Sequence, residues 1–203
     1  QVTDTPSGTG YEAISSGRNH SCATDSTGSI ECWGSDAYNQ VADAPSGSGY
    51  TAVASALLHS CAIDSAGGIE CWGDDGYEQI TGAPTGTGYT VLTAAETTSC
   101  ALDSSGYIEC WGVDDGGDPI SGTPTGNGYT TVSTSGYHSC ATDSSGYIEC
   151  WGWDAYDQVS DTPTGSGYLT VATGLGHTCA IDSSGSIECW GRDDYGQCSN
   201  API

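Results

Sequence analysis

Ten of the eleven cysteines fall into pairs of constant spacing, Cys22 with Cys32, Cys61 with Cys71, Cys100 with Cys110, Cys140 with Cys150 and Cys179 with Cys189. Two chemistries use such pairs: a disulfide, or a thiolate metal site. Structural zinc sites favour two to four residues between ligands, whereas nine separate these. The spacing therefore favours disulfides, and with them an oxidising compartment. Cys198 is left over. It reads as a free thiol, as half of an intermolecular bond, or as a small buried hydrophobe. His20, His59, His138 and His177 each stand two residues before a cysteine, which in principle makes a His–Cys nucleophile. An oxidised thiol and four copies of one active site argue instead for histidines held in structural hydrogen bonds.

Three series of carboxylates recur with the cysteines: Asp25, Asp64, Asp103, Asp143 and Asp182; Glu31, Glu70, Glu109, Glu149 and Glu188; Asp36, Asp75, Asp114, Asp154 and Asp193. Oxygen ligands in such numbers could take calcium. Their spacing matches neither an EF-hand nor the nonapeptide calcium repeat, and Asp in a turn accepts bonds from its own backbone. The sequence thus calls for no cofactor, with calcium as the open alternative. Trp33, Trp72, Trp111, Trp151 and Trp190 follow the second cysteines and suit packing between units. Tyr38, Tyr77, Tyr156, Tyr195 and the additional Trp153 lie in the adjacent turns, where exposed rings could stack on carbohydrate. Asn19-His20-Ser21 is an N-glycosylation sequon, which makes Asn19 a candidate attachment site.

These residues repeat because the chain repeats. Both cysteine series step by 39, 39, 40 and 39, and a Gly-x-Gly-Tyr turn ends at Tyr11, Tyr50, Tyr89, Tyr129 and Tyr168. The repeats run approximately over 11–45, 50–84, 89–124, 129–163 and 168–202 in a single repeat domain spanning 1–203. Gln1–Pro6 matches Gln158–Pro163 and reads as a surplus strand. Within the second repeat, Tyr50-Thr-Ala-Val53-Ala and His59-Ser-Cys61-Ala-Ile63 alternate as strands. Asp64–Gly68 is a turn, Ile69-Glu-Cys71-Trp72 a third strand and Gln79-Ile80-Thr-Gly a short fourth. In a hairpin centred near Gly67, Ile63 faces Ile69 and Cys61 faces Cys71, which predicts a cross-strand disulfide. Each would close an 11-residue loop, worth roughly 2–3 kcal/mol. Four short strands in about 40 residues is the size of a propeller blade. The fold expected is all-β: a five-bladed propeller of four-stranded blades with one disulfide per repeat, or alternatively an open β repeat array.

The strings His-Ser-Cys-Ala-x-Asp-Ser-x-Gly-x-Ile-Glu-Cys-Trp-Gly and Asp-x-Tyr-x-Gln, standing at His20–Gly34 with Asp36, Tyr38 and Gln40 and recurring along the chain, resemble the repeats of the regulator of chromosome condensation family in a short, cysteine-bearing form. The resemblance implies a β-propeller. The family's founding member is a seven-bladed, chromatin-bound nucleotide exchange factor. Five shorter, acidic repeats do not carry that activity over. Repeat three departs from the pattern, with Thr98 in place of His, Gly116 in place of Tyr and Asp118-Pro119 in place of Gln.

Composition limits the partners. The only cations are Arg18 and Arg192 against 26 acidic residues, a formal charge of −24, which excludes a nucleic-acid footprint. No apolar run is long enough to span a membrane. A chain beginning at Gln1 reads as a processed or excised piece. The function expected is a non-enzymatic extracellular or cell-surface binding module, lectin- or adhesin-like or protein-binding. The alternative is a structural subunit of a filament or surface layer that self-associates through its terminal strands. So acidic, lysine-free a surface fits a salt-rich medium in which counterions screen repulsion. With divalent ions controlled, the fold should be lost at low ionic strength, and a melting temperature insensitive to salt would contradict this.

Overall fold

A computed structural model describes residues 5–114 and 120–202. Gly116, Asp118, Pro119 and the first four residues of the expected surplus strand lie outside the described residues. Alternating small and apolar side chains between glycine-bearing turns give fifteen strands. They are β1 (Tyr11–Ser16), β2 (His20–Asp25), β3 (Ile30–Gly34), β4 (Tyr50–Ser55), β5 (His59–Asp64), β6 (Ile69–Gly73), β7 (Tyr89–Ala95), β8 (Thr98–Asp103), β9 (Ile108–Gly112), β10 (Tyr129–Thr134), β11 (His138–Asp143), β12 (Ile148–Gly152), β13 (Tyr168–Thr173), β14 (His177–Asp182) and β15 (Ile187–Gly191). Consecutive triplets form five antiparallel sheets in chain order. The sheets are the blades.

The expected register holds. Cys61 faces Cys71 and Ile63 faces Ile69, and the same pairing recurs in every sheet. The cysteine Cα atoms lie 4.0–4.1 Å apart, and all five disulfides are formed within blades. The turn carboxylates act as proposed. Asp64 Oδ1 accepts from Ala66 N and Gly68 N, both at 2.8 Å, and Asp103, Asp143 and Asp182 do the same in their hairpins. The hairpin glycine at each tip needs its positive φ, 80° at Gly67. Gly67 also needs its missing Cβ, which would lie 2.4 Å from the Gly88 nitrogen at the start of the next blade. Through this approach Gly88 N and Tyr89 N bond back to Ala66 O and Gly67 O.

Among the described residues the fourth strand is not formed; each sheet has three. Gln79-Ile80-Thr-Gly is a compact turn instead. Asp75 Oδ1 accepts from both Ile80 N (2.8 Å) and Thr81 N (3.0 Å), and Gly82 N bonds to Glu78 O at 3.0 Å. A carboxylate that gathers two successive N–H groups curls the backbone, so those groups are not offered to a ladder. Asp36, Asp154 and Asp193 curl the matching segments. Thr5-Pro6, the described end of the surplus strand, is not a strand either.

Three strands of small residues make no core alone, so the core lies between blades. Each of the first four blades turns its disulfide and neighbouring aliphatics backward onto the next blade's front face. Cys100, Leu102, Ile108 and Val91 meet Tyr129, Val132, Ala141 and Trp151, and the other three junctions repeat this pattern. Two polar ties accompany the packing. Trp72, Trp111 and Trp190 donate their indole N–H to the carbonyls of Gln40, Gln79 and Gln158 in the preceding blade, at 2.9–3.0 Å. His20, His59 and His138 meet Ser60, Ser99 and Thr178 of the following blade at 2.7–2.8 Å. At the third blade Thr98 stands in place of His, and its buried hydroxyl is unpartnered. Among the described residues the packing runs blade by blade in chain order.

Burial holds the junction histidines neutral and pushes His59 and His138 down to about 4 from an ordinary 6.5. An unfolded chain takes up these protons from about pH 6.5 downward, while the native blades refuse them until about pH 4. The stability these groups contribute is thus complete above pH 6.5 and is lost as pH falls toward 4, on the order of 2–3 kcal/mol for each histidine. Urea unfolding across this window should show the loss, and a His59→Gln/His138→Gln variant should show a flatter profile. A wild-type profile that is already flat would contradict the assignment.

Candidate functional site

The repeats can be compared with one another, and the scaffold positions are nearly constant. Variation concentrates in two places. One is the turn between the first and second strands: Gly17-Arg18-Asn19, Ala56-Leu57-Leu58, Ala95-Glu96-Thr97, Ser135-Gly136-Tyr137 and Gly174-Leu175-Gly176. The other is the residue after each Trp-Gly: Ser35, Asp74, Val113, Trp153 and Arg192. The fold joins the two in every blade. The backbone N–H of the second position bonds to the last carbonyl of the turn, from Ser35 to Asn19, Asp74 to Leu58, Val113 to Thr97, Trp153 to Tyr137 and Arg192 to Gly176, at 2.8–3.4 Å. A depression of about 550 Å³ is lined by turns of the first, second, third and fifth blades, with Arg18, Leu57, Glu96 and Leu175 among its walls. The variable residues thus share one face of the molecule, and both of its arginines are on it.

The densest part of that face lies at the fourth and fifth blades. Glu96, Tyr137, Trp153, Tyr156, Leu175 and Arg192 line a cleft of about 510 Å³. Tyr137 and Trp153 have ring centroids 5.4 Å apart at 49°, and Tyr156 meets Trp153 edge-on at 5.2 Å and 88°. The Arg192 guanidinium sits 4.8 Å over the Tyr156 ring and 5.9 Å from Tyr195, and its Nε donates to Asp194 at 2.6 Å. Local backbone sets this up. Glu96 has a φ of 36°, which is costly for a residue with a side chain, because β7 and β8 pair as far as Ala95 with Thr98 and leave two residues for the turn. Gly136 makes room for it, since a Cβ there would lie 2.6 Å from the Glu96 carboxyl carbon. Aromatic faces beside a carboxylate and a guanidinium suit a ligand with apolar C–H faces and hydroxyl edges.

Of the expected ligand residues, Trp153, Tyr156 and Tyr195 come together here. Tyr38 and Tyr77 are exposed on their own blades, away from the cleft. Glu96, Tyr137, Leu175 and Arg192 were missed by a reading that sought recurring residues, and the signal that finds them is failure to recur. A larger cavity of about 690 Å³ lies by the third sheet and is lined by residues each repeat carries, such as Tyr89, Glu109 and Trp111, so it offers nothing particular to one blade.

The recurring groups are occupied by the scaffold. In each blade the tyrosine that opens the first strand donates its hydroxyl to the recurring Glu, as Tyr50 does to Glu70. Burial, then that bond, pushes Tyr50 up to about 12. Among the described residues no group of three or more His, Cys, Asp and Glu could hold a metal, and the turn carboxylates that could have served calcium are bonded to their own loops. The His–Cys pairs offer no thiol, since each cysteine is in a disulfide. Cys198 is free and half-buried, 3.5 Å from the Arg192 carbonyl, and burial raises its pKa. Asn19 is exposed at its turn.

The sequence profile of the regulator of chromosome condensation (RCC1) repeat matches residues 11–40 and 169–197. No curated protein sequence matches the chain. Solved structures are similar. The ectodomain of the receptor kinase CR4 from Physcomitrella patens is 25% identical with a TM-score of 0.79, over 94% of this chain and 54% of that one. The CRINKLY WD40 ectodomain of the Arabidopsis thaliana receptor kinase ACR4 is 19% identical at 0.74, over 90% and 72%. Prp20p from Saccharomyces cerevisiae is 17% identical at 0.70, over 91% and 59%. This chain therefore spans about half the length of the moss ectodomain, and the fold is that of an RCC1-like β-propeller.

Trp153 packs on the surface rather than between blades, whereas Trp72, Trp111, Trp151 and Trp190 are buried. Trp153→Ala should therefore leave the thermal midpoint within a few degrees of wild type and reduce near-ultraviolet dichroism, whereas Trp111→Ala should cost about 3–5 kcal/mol. Equal destabilisation by the two would contradict the surface placement.

Proposed function

The chain carries repeats of the RCC1 family, and on that premise we propose that it is an extracellular, non-enzymatic binding module that holds a glycan in the cleft between Tyr137, Trp153, Tyr156 and Leu175. The observation that carries this reading is the convergence of residues that do not recur onto one face of a scaffold that otherwise does. A surface kept free of scaffold duties is where recognition can differ from blade to blade. Sugar rings stack their C–H faces on Trp153 and Tyr137, and Glu96 and Arg192 supply an acceptor and a donor for hydroxyls. The five disulfides support an oxidising location, as does the likeness to a receptor ectodomain.

A protein ligand is the second reading. It is favoured by the extension of the same face beyond the cleft to Arg18 and Leu57, since arginine, aromatic and apolar residues in one patch are the chemistry of protein hot spots. A filament subunit assembled by donated terminal strands gains less support, because residues 193–201 form turns rather than a strand.

A glycan array in concentrated salt tests the first reading. Wild type should bind a restricted set of glycans, Trp153→Ala should lose at least tenfold in affinity, and Tyr38→Ala should bind as wild type does. Uniformly negative arrays would remove the glycan and leave the protein ligand.

A further inference from the structure

The cleft between Tyr137, Trp153, Tyr156 and Leu175 holds a carboxylate that the scaffold does not use. The recurring acids bond to turns or to tyrosine hydroxyls. Glu96 has no counterpart in the other repeats. It is half-buried in the cleft wall and has no side-chain hydrogen bond or ion pair among the described residues. Its place is nonetheless fixed. The backbone is held at a φ of 36°. The carboxyl group lies over Gly136, with its carbon and Oε2 both 2.6 Å from where a Cβ would stand. Tyr137 is the next residue of the fourth blade's turn. Its ring meets Trp153, and Trp153 meets Tyr156. A carboxylate without a partner thus stands beside a row of three aromatic rings.

The cation of the cleft is differently placed. Arg192 already has a carboxylate, Asp194 Oδ2 at 2.6 Å, and lies over the Tyr156 ring. An acidic sugar would have to compete with Asp194. It would also have to enter the field of a chain of formal charge −24, which repels anions and concentrates cations. The charge left unmatched in the cleft is that of Glu96. We propose that the glycan bound here is an amino sugar with a free amine. Its ammonium group donates to the Glu96 carboxylate and faces the Tyr137 ring, while the sugar's C–H face stacks on Trp153. A charge-assisted bond and the negative face of an aromatic ring both favour the cation. N-acetylation removes the charge and leaves a single N–H, so it weakens both contacts. This proposal rests on the glycan reading of the cleft and adds to it the charge of the sugar.

The test is calorimetric titration of the whole chain with three probes: a tetramer of β-1,4-linked glucosamine, its fully N-acetylated counterpart, and tetralysine. Concentrated salt screens general attraction to the acidic surface. A pH of about 6 keeps the amines protonated and most of the junction histidines' stability in place. The glucosamine tetramer should bind about tenfold more tightly than the acetylated one. Tetralysine carries the charges without sugar faces and should bind about tenfold more weakly than the glucosamine tetramer. Glu96→Gln should bring the two sugar tetramers to equal affinity with an unchanged thermal midpoint, since no bond within the protein is lost. Asp43→Asn, at an exposed acid outside the cleft, should keep the preference. Equal binding of the two tetramers by wild type, with Trp153→Ala weakening both, would overturn the proposal and leave the glycan reading standing. Tetralysine binding as tightly as the glucosamine tetramer would overturn it by assigning the contact to charge alone. So would a preference that Glu96→Gln leaves intact. Binding of neither tetramer would overturn it too, and the glycan array then decides whether the glycan reading falls with it.

Discussion

Every blade depends on the contact between one blade's disulfide-bearing back and the next blade's tryptophan-bearing front. A three-stranded sheet rich in Ala, Ser, Thr and Gly buries too little apolar surface to stand in water by itself. Two additions make it workable. The Cys–Cys bridge fixes the second and third strands in register and offers a flat, polarizable surface. The tryptophan of the following blade covers that surface and ties its indole N–H to a glutamine carbonyl, as Trp111 does to Gln79 at 2.9 Å. Stability in such an array is a sum of nearest-neighbour terms, so the third junction can lack its His–Ser tie at Thr98 while its apolar packing remains.

The same economy explains the acidic residues. A chain of this acidity invites a search for metal or cationic ligands, yet its recurring carboxylates have local duties. One Asp per repeat shapes the hairpin turn, a second curls the segment after the third strand, and the Glu accepts the tyrosine hydroxyl that opens the blade. Hydrogen bonds to backbone N–H groups hold Asp36 and Asp193 below the ordinary carboxylate range, and the Thr27 hydroxyl, followed by backbone N–H groups, does the same for Asp25. The acidity is thus partly the cost of building turns from Asp with almost no lysine or arginine to balance it. Recognition falls to the few positions without such duties, and these gather around Glu96, Tyr137, Trp153 and Arg192.

Much of this architecture was legible in the chain. The repeat period, the disulfide pairing, the three strands of each blade and the turn role of Asp64 follow from interactions between residues no more than about twenty apart, where alternation and turn chemistry fix the register. Gln79–Gly82 misled because a short apolar-polar run between turns satisfies a strand pattern, and a single carboxylate four residues before it, Asp75, decides for a turn.

Sequence by itself thus determined each blade. Tertiary structure decided what the blades do together: that Tyr137, Trp153, Leu175 and Arg192 meet Glu96 from the third blade in one cleft, and that Tyr38 and Tyr77 remain apart from it. The physical reason is that these outcomes depend on the angle and offset between neighbouring sheets. That geometry is set by how a tryptophan seats on a disulfide, and no periodicity along the chain records it.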